Sequence, residues 1–187
     1  MSGIIAGIFL LGIFLGAILV KHSSAETLMV LRRLIGNYVE QRRVLSFSGV
    51  VSSTFFSIFS SLLILFFCGF CTIAQLIILA IPFLKGLGYG FSVGMLYAEH
   101  GTKAIAYVTV LMLPAMVLGA LLLVAASRSS LKMSISLLHT TLNDAEQNSR
   151  QRMKRYVLRY LLFTGICLLI AIADAVVYQK FNGLFFL

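Results

Sequence analysis

Two ionisable side chains lie inside runs that are otherwise apolar. Lys85 interrupts the stretch IPFLKGLGYGFSVGML, and residues 44–98 carry no other charge. Asp174 stands in the apolar stretch IAIADAVVY. A charge at membrane depth costs about 2.5–3.5 kcal/mol on insertion scales, so such groups are retained where they are paired, hydrated or part of a pathway. Lys85 and Asp174 are therefore the first candidates for a functional site.

Three interpretations of Lys85 are open. It is paired with Asp174, or it satisfies a backbone carbonyl that Pro82 leaves free, or a water-filled cavity reaches it. If both spans run in the same direction, Asp174 lies about 8 Å nearer the outer face than Lys85, from a rise of 1.5 Å per residue. We predict that the two side chains are coupled directly or through water.

Small residues recur in the same stretch as Lys85. Gly86, Gly90 and Gly94 are spaced by four residues and form one stripe on a helix. Such a stripe allows the backbone of another helix to approach closely. We interpret it as packing within the monomer, with a homo-oligomer seam or the wall of a pathway as alternatives. Two further glycine pairs occur near the N-terminus: Gly3 with Gly7, and Gly12 with Gly16.

Two short motifs resemble catalytic patterns. GFSVG, residues 90–94, has the G-x-S-x-G form of serine hydrolases, but no strand precedes it and no histidine lies within an apolar run. CGFC, residues 68–71, has dithiol spacing, but it ends an apolar helix where a thiolate is disfavoured. No group of residues has metal-ligand spacing. We therefore predict no enzyme activity, no cofactor and no metal.

Composition places the chain in a membrane. Of 187 residues, 60% are hydrophobic and 11% are charged. A hydrocarbon core needs about 20 apolar residues per helix. We predict an all-α, polytopic integral membrane helical bundle forming one domain over residues 1–187. The first run has no basic segment before it, so we expect a retained span and not a signal peptide. The predicted spans are residues 3–20, 50–70, 76–98, 104–126 and 160–178.

The remaining segments are polar. Residues 21–45 have helical periodicity with arginines on one side, which predicts an interfacial amphipathic helix. In residues 127–155, Asn143 followed by Glu146 resembles a helix start. Pro114 lies near the middle of the fourth run, where a kink is expected. The second run has four serines on one side that can bond to a neighbouring helix. They are Ser53, Ser57, Ser60 and Ser61.

The net charge of +9 is concentrated in these polar segments. In a membrane protein, such clusters set topology and contact anionic lipid, so we predict lipid partners and no nucleic acid. The predicted headgroup and topology residues are Arg32, Arg33, Arg42, Arg43, Arg152, Lys154 and Arg155. With five spans the two clusters lie on opposite sides, and we place the larger, second one in the cytoplasm. The alternative is a re-entrant segment broken near residues 82–86, which would put both clusters in the cytoplasm.

The central motif carries a family resemblance. FLKGLGYGFSVGML, followed by AYVTVLMLP, resembles the motif of the stage II sporulation protein M (SpoIIM) family, and an acidic residue in the last span, here Asp174, is also a family feature. The first polar segment is shorter and richer in arginine than is usual in the family. The matching positions are Phe83, Leu84, Lys85, Gly86, Gly90, Phe91, Val93, Gly94 and Pro114.

The resemblance implies a function without catalysis. Family members are five-span proteins of the bacterial plasma membrane, and the namesake works with peptidoglycan-degrading partners as an anchor during sporulation. This implies a membrane scaffold for cell-wall hydrolases. The alternative is a small transporter or channel subunit, in which the glycine stripe, Lys85 and Asp174 line a path.

Overall fold

The computed structural model describes residues 2–22, 46–101, 108–143 and 149–181. Within these ranges there are five long helices and no strand. Each helix is long and apolar enough to cross a membrane, which confirms the predicted all-α bundle of five spanning helices. The helices are α1 (Ser2–His22), α2 (Phe47–Cys68), α3 (Gln75–His100), α4 (Leu113–Asn143) and α5 (Ser149–Phe181).

The helix α3 is continuous through the central motif. It has 26 residues with Pro82 inside it, which corresponds to about 39 Å and exceeds a hydrocarbon core of about 30 Å. The re-entrant alternative, broken near residues 82–86, is therefore wrong. Pro82 is fully buried, so its ring packs in the bundle without ending the helix.

A π-helical turn, Val108–Met112, leads directly into α4. Pro114 is the second residue of α4. Proline has no N–H group, and its ring clashes with the carbonyl four residues earlier in a regular helix. The wider π-helical turn removes that clash, and such turns are a known cause of helix irregularity. The backbone irregularity expected at Pro114 thus takes the form of a π-helical turn.

The helices α4 and α5 continue well beyond the apolar runs. α4 extends to Asn143 and α5 has 33 residues, about 50 Å. Asn143 is the last described residue of α4 and α5 is described from Ser149, so the helix start predicted from Asn143 and Glu146 falls outside the described residues. Much of the second polar segment is helical because a helix that leaves the lipid can continue with a polar surface.

The core is divided among three hydrophobic clusters, of which a small one between α1 and α3 includes Val20 and Phe91. The two larger clusters both involve α2. One lies where α2 ends and includes Leu65 and Leu123, and the other lies where α2 begins and includes Val50 and Leu111. α1 packs mainly against α3, and α2 mainly against α5. Many large apolar side chains on the outer surfaces of α1 and α5 are exposed, as expected for faces that contact lipid.

The predicted interfacial helix at 21–45 falls almost entirely outside the described residues. The same applies to four of the predicted headgroup residues, namely Arg32, Arg33, Arg42 and Arg43.

Candidate functional site

The ammonium group of Lys85 is held by α2. Its Nζ donates to the backbone carbonyl oxygen of Ser57 at 2.8 Å and lies 3.2 Å from the Ser57 Oγ. The side chain is half-buried. The interpretation in which Lys85 satisfies a carbonyl freed by Pro82 is wrong, because both of these bonds cross to another helix. Ser57 belongs to the serine side of the second run, for which bonds to a neighbouring helix were predicted, although the sequence did not identify Lys85 as the partner.

The carboxylate of Asp174 also contacts α2. Thr54 Oγ1 donates to Asp174 Oδ2 at 2.7 Å. Asp174 is only 4% exposed and Thr54 is 6% exposed. A short hydrogen bond to a carboxylate is stronger than one between neutral groups, so it fixes the position of α5 against α2. Sequence reasoning missed Thr54, since a single threonine in an apolar helix gives no distinctive pattern.

Thr54 and Ser57 are three residues apart, so they lie on neighbouring parts of one α2 face. Thr54 stands between the buried residues Val50 and Ile58, which belong to different hydrophobic clusters. The polar contacts therefore form a layer between two apolar regions, and α2 connects both ionisable residues. A direct or water-mediated coupling between Lys85 and Asp174 stays a prediction.

The glycine stripe of α3 faces the backbone of α1. A Cβ atom added at Gly86 would overlap the carbonyl oxygen of Phe9, and one added at Gly90 would overlap that of Ile13. At Gly94 an added Cβ would lie 3.1 Å from a methyl carbon of Val20. The two helices thus approach through their backbones, and side chains larger than hydrogen cannot be accommodated there.

Glycines of α1 also lie close against the backbone of α3. Cβ atoms added at Gly12 and Gly16 of α1 would overlap the carbonyl oxygens of Phe83 and Leu87. Gly3, Gly7 and Gly88, in contrast, have open space where a Cβ would lie. We call the contact between Gly12 and Gly16 of α1 and Gly86 and Gly90 of α3 the glycine seam.

A second polar cluster, which sequence reasoning missed, joins α2, α4 and α5. Ser130 Oγ donates to the carbonyl oxygen of Leu65 at 2.9 Å, lies 3.2 Å from Tyr156 Oη and also bonds to Tyr160 Oη. Tyr156 Oη donates to the carbonyl oxygen of Phe66 at 3.0 Å. Aromatic residues with a polar tip are suited to the boundary of the lipid. The four-residue spacing of Tyr156 and Tyr160 was the available signal, because it puts both on one helix face.

The residues of the two catalytic-looking motifs have local roles. Ser92 Oγ donates to the carbonyl oxygen of Gly88 at 2.9 Å, a common bond of serine within its own helix. Cys68 and Cys71 are free thiols, half-buried and exposed respectively. Among the described residues, no three His, Cys, Asp or Glu side chains lie together in a group that could hold a metal ion.

The predicted headgroup residues of the second cluster lie along the first turns of α5. Arg152, Lys154 and Arg155 are all exposed. Arg152 Nη1 donates to Ser136 Oγ of α4 at 2.6 Å, which ties the extended ends of α4 and α5 together. Lys154 also lines a groove on the outer surface of α5.

A family model described as Stage II sporulation protein M matches residues 5–173 of the chain. The matched range reaches into all five spanning helices and includes Lys85 and the glycine seam, and it ends one residue before Asp174. No curated protein and no solved structure matches the chain.

Proposed function

Because the chain belongs to the stage II sporulation protein M family, and is a multi-pass membrane protein, we propose that it acts as a non-catalytic anchor. In this role it holds enzymes that remodel the peptidoglycan cell wall at the bacterial plasma membrane. The chain itself supplies position and orientation, and its partners supply the chemistry.

The glycine seam is the observation that carries the proposal. Backbone-to-backbone packing at Gly86 and Gly90 excludes even a methyl group. A pathway between α1 and α3 would require these helices to separate, whereas an anchor benefits from a rigid bundle. Close packing of small residues is a main source of helix association in lipid, where the hydrophobic effect does not drive helices together.

The extended ends of α4 and α5 support the same role. Both helices continue past the thickness of a hydrocarbon core of about 30 Å. Exposed cations, including Lys132 and Arg155, lie on these ends. A paired helical extension fixed by the bond between Arg152 and Ser136 offers a defined surface outside the lipid where a partner can bind.

The transporter or channel alternative has one observation in its favour. Lys85 and Asp174 both lie within spans and both contact one face of α2. Ionisable groups at membrane depth are common along substrate and proton pathways. The alternative requires water or solute to reach Lys85 between helices other than α1 and α3.

Affinity capture from the native membrane tests the proposal. The tagged protein is crosslinked in intact cells and purified, and the eluate is assayed for peptidoglycan hydrolysis on cell-wall gels. The matched control is a tagged five-span membrane protein of another family at the same expression level. We expect hydrolase activity only with the chain described here. Capture of ABC-type ATPases without any hydrolase would contradict the anchor role and favour the transporter alternative.

A further inference from the structure

A groove runs along the outer surface of α5 near its N-terminal end. Its volume is about 530 Å³, and it has two cations at one end and apolar side chains along the rest. Arg150 and Lys154 are four residues apart, so they lie on one face of the helix. The residues that line the groove are Arg150, Met153, Lys154, Val157, Leu158 and Leu161.

A second, open cavity adjoins this groove on the side of α2. It has a volume of about 230 Å³ and shares Val157 and Leu161 with the first. It lies between α5 and α2, and almost all of its exposed lining is apolar. Its other lining residues are Phe59, Leu62, Leu63, Phe66, Tyr160 and Thr164. Because the two cavities share Val157 and Leu161, we treat them as one elongated site that is charged at one end only.

The position of the site along α5 matches the edge of the lipid. The apolar run from Tyr160 to Tyr178 covers about 28 Å, close to the thickness of a hydrocarbon core. Val157 and Leu161 therefore lie at its boundary. Lys154 lies about one helical turn above Val157, at the level of lipid phosphates, and the long side chain of Arg150 can reach down to the same level.

We propose that this site binds one anionic diacyl phospholipid. The phosphate lies between Arg150 and Lys154, and an acyl chain follows Val157 and Leu161 into the cavity between α2 and α5. Charge complementarity favours this occupant, since the residues lining both cavities include two cations and no carboxylate. The depth of the apolar part favours a lipid over a soluble partner, because acyl chains surround the helix there.

The proposal is more specific than general attraction of basic residues to a membrane. Arg152 is bonded to Ser136 of α4 and does not line the groove, whereas Arg150 does. The inference is independent of the anchor role, since a lipid site of this kind would serve either function.

Lipid titration of the purified full chain tests the charged end. The protein in a neutral detergent is titrated with palmitoyl-oleoyl phosphatidylglycerol or with the matching phosphatidylcholine, and bound lipids are counted by native mass spectrometry. We expect one tight site for phosphatidylglycerol. Replacing both cations, Arg150→Gln with Lys154→Gln, is expected to weaken that site about 30-fold, from the contribution of two basic residues near an anionic headgroup.

The matched control removes the same charges from α4. Arg128 and Lys132 are also an arginine and a lysine four residues apart, and both are exposed. We expect Arg128→Gln with Lys132→Gln to leave the tight site unchanged. An equal loss in both double variants would show nonspecific surface attraction, and no loss in the first would show that the groove does not hold the phosphate. Either result overturns the proposal.

The apolar end has its own test. Leu161→Trp fills the part of the groove common to both cavities, while Leu169→Trp adds the same bulk at a similarly exposed position on α5 outside them. We expect a loss of tight phosphatidylglycerol binding only with Leu161→Trp. Unchanged binding in that variant would overturn the placement of the acyl chain.

Discussion

The ammonium group of Lys85 lies 2.8 Å from the backbone carbonyl oxygen of Ser57 and 3.2 Å from its hydroxyl oxygen. The nearer acceptor belongs to the main chain, so it does not depend on the identity of the side chain at position 57. Substitution of Ser57 therefore removes the bond to the hydroxyl group but leaves the bond from Lys85 of α3 to the main chain of α2.

We expect Ser57→Ala to lower the free energy of unfolding by only about 0.6 kcal/mol, the average for a hydrogen bond between membrane helices. Unfolding in mixed micelles by added denaturing detergent measures this. Ser60→Ala is the control, because Ser60 is exposed and its hydroxyl reaches the same carbonyl at 3.3 Å. A cost above about 1.7 kcal/mol for Ser57→Ala would mean that the hydroxyl, and not the carbonyl, holds the ammonium group.

Thr54→Val tests the contact with Asp174. Valine has a similar shape but cannot donate to the buried carboxylate, so we expect a loss of about 1–3 kcal/mol in the free energy of unfolding. Thr164→Val is the matched control, because among the described residues the hydroxyl of Thr164 bonds only to the carbonyl oxygen of Tyr160 in its own helix. Equal losses in the two variants would show that the Thr54 contact does not hold α5 against α2.

Gly90→Ala tests the glycine seam. The added methyl group would overlap the carbonyl oxygen of Ile13, and since both surfaces are backbone, α1 and α3 must move apart. We expect a loss of about 1–3 kcal/mol in the free energy of unfolding. Gly88→Ala, two residues away on the same helix, places its methyl group in open space and should cost nothing. A tolerated Gly90→Ala variant would contradict the close approach.

Labelling of Cys71 tests the orientation of the bundle in the membrane. It is exposed in the turn after α2, and its carbonyl oxygen accepts a bond of 2.8 Å from Ser134 of α4. This turn therefore lies on the same face as the larger basic cluster, which we place in the cytoplasm. We expect a membrane-impermeant maleimide to label Cys71 in inverted vesicles and not in intact cells.

The control for the labelling of Cys71 is a cysteine introduced on the opposite side of the membrane. Lys21 is exposed at the end of α1, and Lys21→Cys in a chain carrying Cys71→Ser should be labelled in intact cells only. The reverse pattern in both chains would invert the proposed orientation, and labelling of both from one side would contradict the five-span arrangement.

Hydropathy and composition were sufficient to predict the class of fold. Whether a run of residues crosses a membrane depends on its own length and apolarity, so five spans could be counted without knowing how they pack. The limits of α4 and α5 could not be found in this way. A helix that continues beyond the lipid has a polar surface, and hydropathy alone cannot distinguish it from a loop.

The residues that contact Lys85 and Asp174 could be identified only from the tertiary structure. The sequence identified Lys85 and Asp174 because an ionisable group inside an apolar run is locally unusual. It did not indicate that Thr54 bonds to Asp174 or that Ser57 accepts a bond from Lys85. That outcome depends on which helices are neighbours and how each is rotated about its axis. The same holds for Ser130, which meets Leu65 across a gap of 65 residues.

Five membrane spans, a small-residue stripe and two intramembrane ionisable groups could all be predicted from the sequence, because each of these properties is local. The packing of the stripe against α1, and the contact of α2 with both ionisable groups, could be seen only in the folded bundle. Such contacts join residues far apart in the chain, and they arise from the combined packing of all the helices.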